Sequence, residues 1–258
     1  MGYETGDGTV GKAIRVLDLV ASFGRPVRFS EVLLHSDFPK PTLYRFIQSL
    51  TNQNMLSYDS ERQTYAPGLR LLRLAHAAWE QSSLAPIARP FLDNLAKSVG
   101  EAVHLAQIDS GQVLFIDKRS ASAGFDTLAQ AGQIAPAYCT GVGKVILAFM
   151  DDDLRARALQ QQAFMKYTAA THDGATALSA ELTSIRHDGV AYDREEHEAG
   201  IISIAAPILI RNDVVIGAVS VATTTARHDL AGLEAFRPQL LKTADQIGAE
   251  ARNWQSPT

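Results

Sequence analysis

FSEVLLHSDFPKPTLYRFIQSLTNQNML, from Phe29 to Leu56, reads as two short helices joined by a tight turn. Ser30 is the expected N-cap of the first, because a hydroxyl can accept from an orphan amide of the opening turn. That helix is expected to end near Ser36–Asp37. Pro39 and Pro41 push the residues before them out of helical geometry, so the second helix starts with Pro41 as its first residue. Within it Leu43, Phe46, Ile47 and Leu50 recur at the i, i+3, i+4, i+7 spacing of a buried stripe. Thr42, Tyr44, Arg45 and Gln48 then point the other way. A helix with its N-terminus, a hydroxyl, a phenol, a guanidinium and an amide on its open face suits a DNA major groove. Taken alone, the stretch fits an ordinary surface helix better.

Its neighbours decide between these. Upstream, Val10, Ala13, Ile14, Leu17, Val20 and Ala21 mark one face of a helix from Val10 to Phe23, with Gly24 as its stop. Downstream, Leu56-Ser57-Tyr58 and Gln63-Thr64-Tyr65-Ala66 flank the polar turn Asp59-Ser60-Glu61-Arg62, a small β-hairpin. Three helices followed by a hairpin are the ordered parts of a winged helix-turn-helix. Arg62, near the hairpin tip, stands either to reach a phosphate, adding affinity rather than sequence choice, or to solvate the turn.

Charge is distributed to match. The 258 residues carry a formal net charge of −4, which does not by itself suggest a nucleic-acid partner. Residues 8–73, however, hold nine basic against five acidic side chains, a balance of +4 that leaves about −8 for the remainder. At 46% hydrophobic the chain can bury a sizeable core in one or two domains. No run of about 18 apolar residues exists, so no membrane span is expected. The polar, Gly-rich start MGYETGDGTVGK argues against secretion, and a single cysteine, Cys139, fits a reducing cytoplasm.

Pro67-Gly68 precedes a helix from Leu69 to about Gln81, striped by Leu71, Leu72, Ala75, Ala78 and Trp79. It reads as a linker that packs on a second subunit or, alternatively, within its own chain, and Ser82-Ser83 marks a boundary. A helix from Pro86 to Val99 opens the second domain, stopped by Gly100. Strand-like runs follow at Val103–Ile108 and Val113–Lys118, joined through Asp109-Ser110-Gly111. Residues 119–138 are irregular, with one strand expected near Phe125–Ala129. Helices are predicted over Thr140–Phe149, Asp151–Gln162 and Leu178–Asp188. Strands are predicted over Val190–Asp193, Ile201–Leu209 and Val214–Ala222, the last two joined through Arg211-Asn212-Asp213. Asp229 caps a final helix to about Asn253, kinked at Pro238. The pattern is α+β, a mainly antiparallel sheet flanked by helices.

Three stretches resemble the IclR-type bacterial transcriptional regulators. Ala137-Tyr138-Cys139-Thr140-Gly141-Val142-Gly143-Lys144-Val145-Ile146-Leu147-Ala148 is similar to that family's Gly-Lys helix. Asp193-Arg194-Glu195-Glu196-His197-Glu198-Ala199-Gly200, followed by Ile204-Ala205-Ala206-Pro207, is similar to its second signature. Pro39-Lys40-Pro41-Thr42 with Arg45 is similar to its recognition helix. The resemblance runs from about Val10 to Asn253. It implies a winged helix-turn-helix over 8–68, a linker helix over 69–83 and a GAF-like effector-binding domain over 84–254. It also implies a homodimer or homotetramer on a palindromic double-stranded DNA operator. Lys40, Thr42, Tyr44, Arg45, Gln48 and Arg62 are the expected DNA-binding residues. The implied effector site is lined by Thr140, Gly141, Val142, Asp193, Ser203 and Ser220, with Ala135 from a loop that aligns less well. A helix N-terminus and three hydroxyls favour a small carboxylate-bearing metabolite, among which Asp193 is the odd member. Tyr138, where the family often has histidine, and Ala222-Thr223-Thr224, in place of a small-Gly-Pro ending, depart from the pattern near the presumed pocket rim.

Other chemistries fit less well. A phosphate loop needs glycine five residues before the Gly-Lys pair and Ser or Thr after it, but Tyr138 and Val145 stand there. Cys139 shows no readable acid–base partner and reads as a buried, inert thiol. None of the seven histidines pairs at i, i+3 or i, i+4 with a second ligand cluster, so neither a metal nor a cofactor is expected. The run Asp193–Glu198 reads mostly as a solvated loop. The sequence therefore predicts a ligand-responsive transcription factor and not an enzyme. The alternatives are a small-molecule enzyme with an accessory winged helix, or a protein-interaction module.

Overall fold

The computed structural model describes residues 8–81, 84–109, 111–120 and 129–254, which form two compact units, 8–81 and 84–254. The first contains α1 (Thr9–Ser22), β1 (Val27–Arg28), α2 (Phe29–Leu34), α3 (Lys40–Asn52), β2 (Leu56–Asp59), β3 (Thr64–Pro67) and α4 (Leu69–Gln81). Its core joins Val16, Leu17 and Val20 of α1 to Val32 of α2, the α3 stripe Leu43, Phe46, Ile47 and Leu50, and Leu56 and Tyr65 of the hairpin. β3 lies between β1 and β2 in an antiparallel sheet, in the order β1-β3-β2. β1 is too short to show alternation and was not expected from the sequence.

Several boundaries differ from expectation for physical reasons. Arg28, not Ser30, is the N-cap of α2, and the Glu31 carboxylate accepts its backbone N–H at 2.9 Å while also holding Arg25 at 2.6 Å. Val10, Ile14 and Ala21 are exposed because the face of α1 that packs on α3 centres on Val16, Leu17 and Val20. α3 begins at Lys40, with Pro41 one residue inside it. On α4, Leu71 packs against the core, whereas Leu72, Ala75 and Ala78 are exposed with Leu69 and Leu74. The side chain of Trp79 lies outside the described residues.

The second unit comprises α5 (Leu84–Val99), β4 (Ala102–Asp109), β5 (Gln112–Ser120), β6 (Ile134–Pro136), α6 (Gly141–Phe149), α7 (Asp152–Gln160), α8 (Ala175–Asp188), β7 (Ala191–Arg194), β8 (Ile201–Leu209), β9 (Val215–Thr224), α9 (Leu230–Glu234) and α10 (Arg237–Trp254). The six strands run in the order β6-β5-β4-β9-β8-β7, every neighbouring pair antiparallel. α5 and α10 cover one face and α6 the other, with α8 packed on α6. Apolar residues on both faces explain why β8 reads as a continuous apolar run rather than an alternating one.

The strand expected near Phe125–Ala129 lies outside the described residues except for Ala129, which is not in a strand. β6 pairs with β5 instead, a three-residue strand too short to signal itself. The single C-terminal helix is two: α9 ends at Glu234, and Pro238 sits in the first turn of α10, where its missing N–H costs nothing. α8 starts three residues before the expected Leu178. No helix among the described residues is long and apolar enough to cross a membrane.

α6 lies closest to the sheet. Every residue from Gly141 to Ala148 is buried, over Ala191, Ala205, Ala218 and Ala106, whose small side chains allow the close approach. Thr140 caps the helix: its hydroxyl accepts from Gly143 N at 3.3 Å and donates to Pro136 O at 2.9 Å. A Cβ at Gly143 would stand 2.4 Å from both the Cα and the carbonyl oxygen of Ala137. Gly143→Ala should therefore lower stability by about 1–3 kcal/mol, the range for overpacking a rigid site. Urea denaturation measures it, and an unchanged midpoint would contradict the close approach.

Candidate functional site

A cavity of about 40 Å³ opens between the N-terminus of α6 and the sheet. Strand register explains its lining. Asp193 on β7 pairs with Ser203 on β8, which pairs with Ala222 on β9. One step along, Ser220 on β9 pairs with His104 on β4. Alternate residues share a face, so these side chains all point toward α6. Thr140, Gly141 and Val142 close the opposite wall. A Cβ at Gly141 would lie 2.9 Å from Ser203 Oγ, so glycine lets the helix backbone reach the strands. Thr140 already serves the amides of Gly143 and Lys144. The first-turn amides of Gly141 and Val142 have no intrahelical acceptor and sit at the positive end of the helix dipole.

No lysine or arginine is among the described lining residues. His104 is pushed down to about 3 by burial, with the Lys118 charge adding and a backbone hydrogen bond to Ala129 opposing, so its imidazole is neutral. Burial also lowers His197. Asp193 is pushed up to about 7, chiefly by burial; the neighbouring Glu196 charge adds, while Lys144 and the backbone groups of Glu196 and His197 oppose. Near neutrality Asp193 is therefore poised to hold a proton and to donate it in a hydrogen bond.

Behind this wall lies a buried ionic network. The Lys144 ammonium, fully buried on α6, pairs with Glu196 at 2.5 Å and Glu181 at 3.0 Å. Arg194 adds a bond to Glu181 at 2.9 Å, and His172 contacts the same carboxylate at 2.5 Å. The Lys144 charge lowers the Glu181 carboxyl against its desolvation. Glu196 N–H donates to Asp193 Oδ1 at 2.8 Å, which joins the network to the cavity.

Six of the residues expected at an effector site, Thr140, Gly141, Val142, Asp193, Ser203 and Ser220, converge on the cavity. Ala135 does not line it: on β6 it packs into the core below α6. Tyr138 is likewise core rather than rim, donating to Met165 O at 2.6 Å beside Phe164, whereas Ala222 does reach the lining. Asp193 and Glu196 are buried, contrary to a solvated loop. Cys139 is buried, and desolvation pushes its thiol up, away from a reactive thiolate. His104, Phe115, His197, Glu198 and Ile201 also line the cavity. Of these His104 carried a sequence signal as a polar residue inside an apolar strand, and His197 and Glu198 stand in the second signature stretch.

In the first unit, α3 presents Lys40, Tyr44 and Arg45 exposed, and Thr42 and Gln48 half-buried. The Tyr44 ring packs edge-on to Phe29 at 6.0 Å. Arg62 stands on the hairpin turn with its side chain 79% exposed, 3.9 Å from Asp59. The five α3 residues occupy one helix, and Arg62 a separate turn.

Comparison with known proteins identifies both units. Residues 9–60 match the IclR helix-turn-helix domain, and residues 76–249 match the bacterial transcriptional regulator IclR C-terminal domain. The HTH-type transcriptional regulator XynR of Escherichia coli K12 is 26% identical over 232 residues, covering 90% of this chain and 92% of that regulator. The crystal structure of Thermotoga maritima IclR aligns with a TM-score of 0.77 at 25% identity, over 96% of this chain and 100% of the other. An IclR homologue from Microbacterium hydrocarbonoxydans, crystallised with 4-hydroxybenzoate, aligns with a TM-score of 0.78 at 21% identity, over 95% and 100%.

The raised Asp193 carboxyl has a consequence for stability. Its folded value of about 7 lies above the ordinary 3.8, so the folded chain keeps a proton that the unfolded chain releases between those values. Stability from this site is then fully present below the lower value, falls as pH rises through the window and is flat above it. Asp193→Asn removes the penalty. Its melting temperature should gain on the native protein from about pH 5 to about pH 8; a constant difference across that range would contradict the assignment.

Proposed function

The chain belongs to the IclR family of bacterial transcriptional regulators, and from that premise we propose that it reads a palindromic operator as a homodimer or homotetramer while sensing a small carboxylate-bearing metabolite. It is a DNA-binding regulator and not an enzyme. The observation that carries the finer reading is the convergence on one cavity of the α6 amides, Ser203, Ser220 and Asp193, whose carboxyl burial raises to about 7. All of these donate hydrogen bonds, and a carboxylate accepts up to four. Asp193, odd beside an anion when ionised, becomes a donor once it holds a proton. The related fold that carries 4-hydroxybenzoate in its crystals supports an acid ligand. The cavity here is small and favours a compact one.

In this reading the chain divides into a winged helix-turn-helix over residues 8–68, a linker helix over 69–83 and an effector domain over 84–254. The exposed Leu69, Leu72 and Leu74 of α4 supply an apolar surface on which a second subunit can pack. Thr42, Tyr44, Arg45 and Gln48 face base edges, and Lys40 and Arg62 meet phosphates.

The direct test is a thermal-shift screen with small aliphatic and aromatic carboxylates, followed by gel shifts on the promoter of the protein's own gene. At least one acid should raise the melting temperature and alter operator affinity, and Ser203→Ala should weaken that acid's binding by calorimetry while leaving the fold intact. Affinity unchanged in Ser203→Ala would remove the strand hydroxyl from the site. Arg45→Ala should cost about 1–3 kcal/mol of operator binding and relax base selection, as loss of a bidentate guanine contact does. Lys40→Ala should weaken binding to all sequences alike and reduce the salt slope by about 1. Base-selective loss from Lys40→Ala would reverse the two roles.

A further inference from the structure

His172, Glu181 and Glu196 come from three separate segments: the loop before α8, α8 itself and the turn after β7. Each offers one ligand atom, and the three atoms lie within 4.8 Å of one another. We propose that they bind a divalent transition-metal ion, zinc being the best fit to their chemistry.

The two carboxylates are divided between two neighbours. Lys144 takes Oε1 of both, and Arg194 shares Oε1 of Glu181. The Oε2 atoms are left to His172, whose Nε2 lies 2.5 Å from Glu181 and 3.7 Å from Glu196. Glu196 Oε2 is fully buried and has no hydrogen-bond partner, on a side chain only 4% exposed. A buried carboxylate oxygen with no partner is costly, and it lies beside the imidazole nitrogen and the Glu181 Oε2 that this nitrogen contacts. A cation between the three atoms satisfies it.

One imidazole nitrogen and two carboxylate oxygens suit zinc, manganese or iron better than a cation that prefers sulfur or oxygen alone. Bonds of about 2.0–2.2 Å to zinc place ligand atoms roughly 3.4 Å apart in a tetrahedron. The observed spacings bracket that value. His172 and Glu181 are 21% and 19% exposed, which leaves the site open to solvent for an ion to enter.

Charge limits the affinity, because Lys144 and Arg194 already balance the carboxylates. Arg194, 48% exposed, can turn to solvent when the ion arrives; the fully buried Lys144 cannot. The site is linked to the cavity, since the Glu196 that would ligate the metal also donates its N–H to Asp193.

Calorimetric titration of the full-length, metal-free protein with zinc chloride tests the site. One saturable site per chain is expected. His172→Gln keeps a side-chain N–H for Glu181 but loses the imidazole, so a purely structural role would survive it. It should lose zinc affinity by at least about tenfold without lowering the metal-free melting temperature. His187→Gln, altering an exposed histidine, should bind like the native chain. Glu181→Gln removes a second ligand independently and covers the case in which His172→Gln folds poorly. Absence of saturable binding in the native chain, or less than tenfold loss in both ligand variants, would overturn the proposal.

Discussion

A lysine ammonium with no solvent exposure needs its charge answered within the protein, and Lys144 finds Glu196 and Glu181. Each ion of a buried pair carries several kcal/mol of desolvation, repaid only when geometry and hydrogen bonding are complete. The arrangement around Lys144 meets that demand with parts from distant segments. α6 supplies the lysine, α8 supplies Glu181, and the turn after β7 supplies Glu196. Fixing the ammonium therefore fixes where α6, α8 and that turn meet. The two glycines and the alanine floor allow the helix to descend onto the sheet; the ion pair sets where along the sheet it stops.

The cavity is a by-product of that stop. With Lys144 anchored, the first turn of α6 lies against Ser203, and the backbone N–H of Glu196 holds Asp193 on the opposite wall. Glu196 thus joins the structural network to the cavity, its carboxylate on the lysine and its backbone N–H on the aspartate. Burial lowers the nearby imidazoles and raises Asp193, so the cavity offers hydrogen-bond donors and a helix dipole rather than a fixed cation. In the proposed reading, acid binding and the protonation of Asp193 go together.

Much of the fold was legible in the sequence because periodicity and punctuation agreed. The α3 stripe, the wing hairpin and β8 stand where their patterns put them. Failures came where an element is too short to show a period, as with β1 and β6, or where the cap fell elsewhere, as α2 starts from Arg28, whose N–H the Glu31 carboxylate accepts, rather than from Ser30. Three α1 positions, Val10, Ile14 and Ala21, are apolar yet exposed, since periodicity gives a face but not the centre of its contact. At the site, motif resemblance located residues whose roles no spacing reveals. It missed His104, which arrives by strand pairing, and it covered His197 in the second signature without assigning it to the site. His172, Glu181 and Glu196 follow no linear ligand spacing, and only the tertiary fold assembles them.

The dependence of this architecture on Lys144 is open to a double-mutant cycle by urea denaturation, using Lys144→Met, Glu196→Gln and the pair together. The account predicts a coupling energy of about 1–3 kcal/mol, because Lys144→Met strands the buried Glu196 carboxylate, Glu196→Gln leaves the ammonium with Glu181 alone, and the double change removes the Glu196 charge together with its partner. Single effects that add to within about 0.5 kcal/mol would mean the pair does not hold α6 in place.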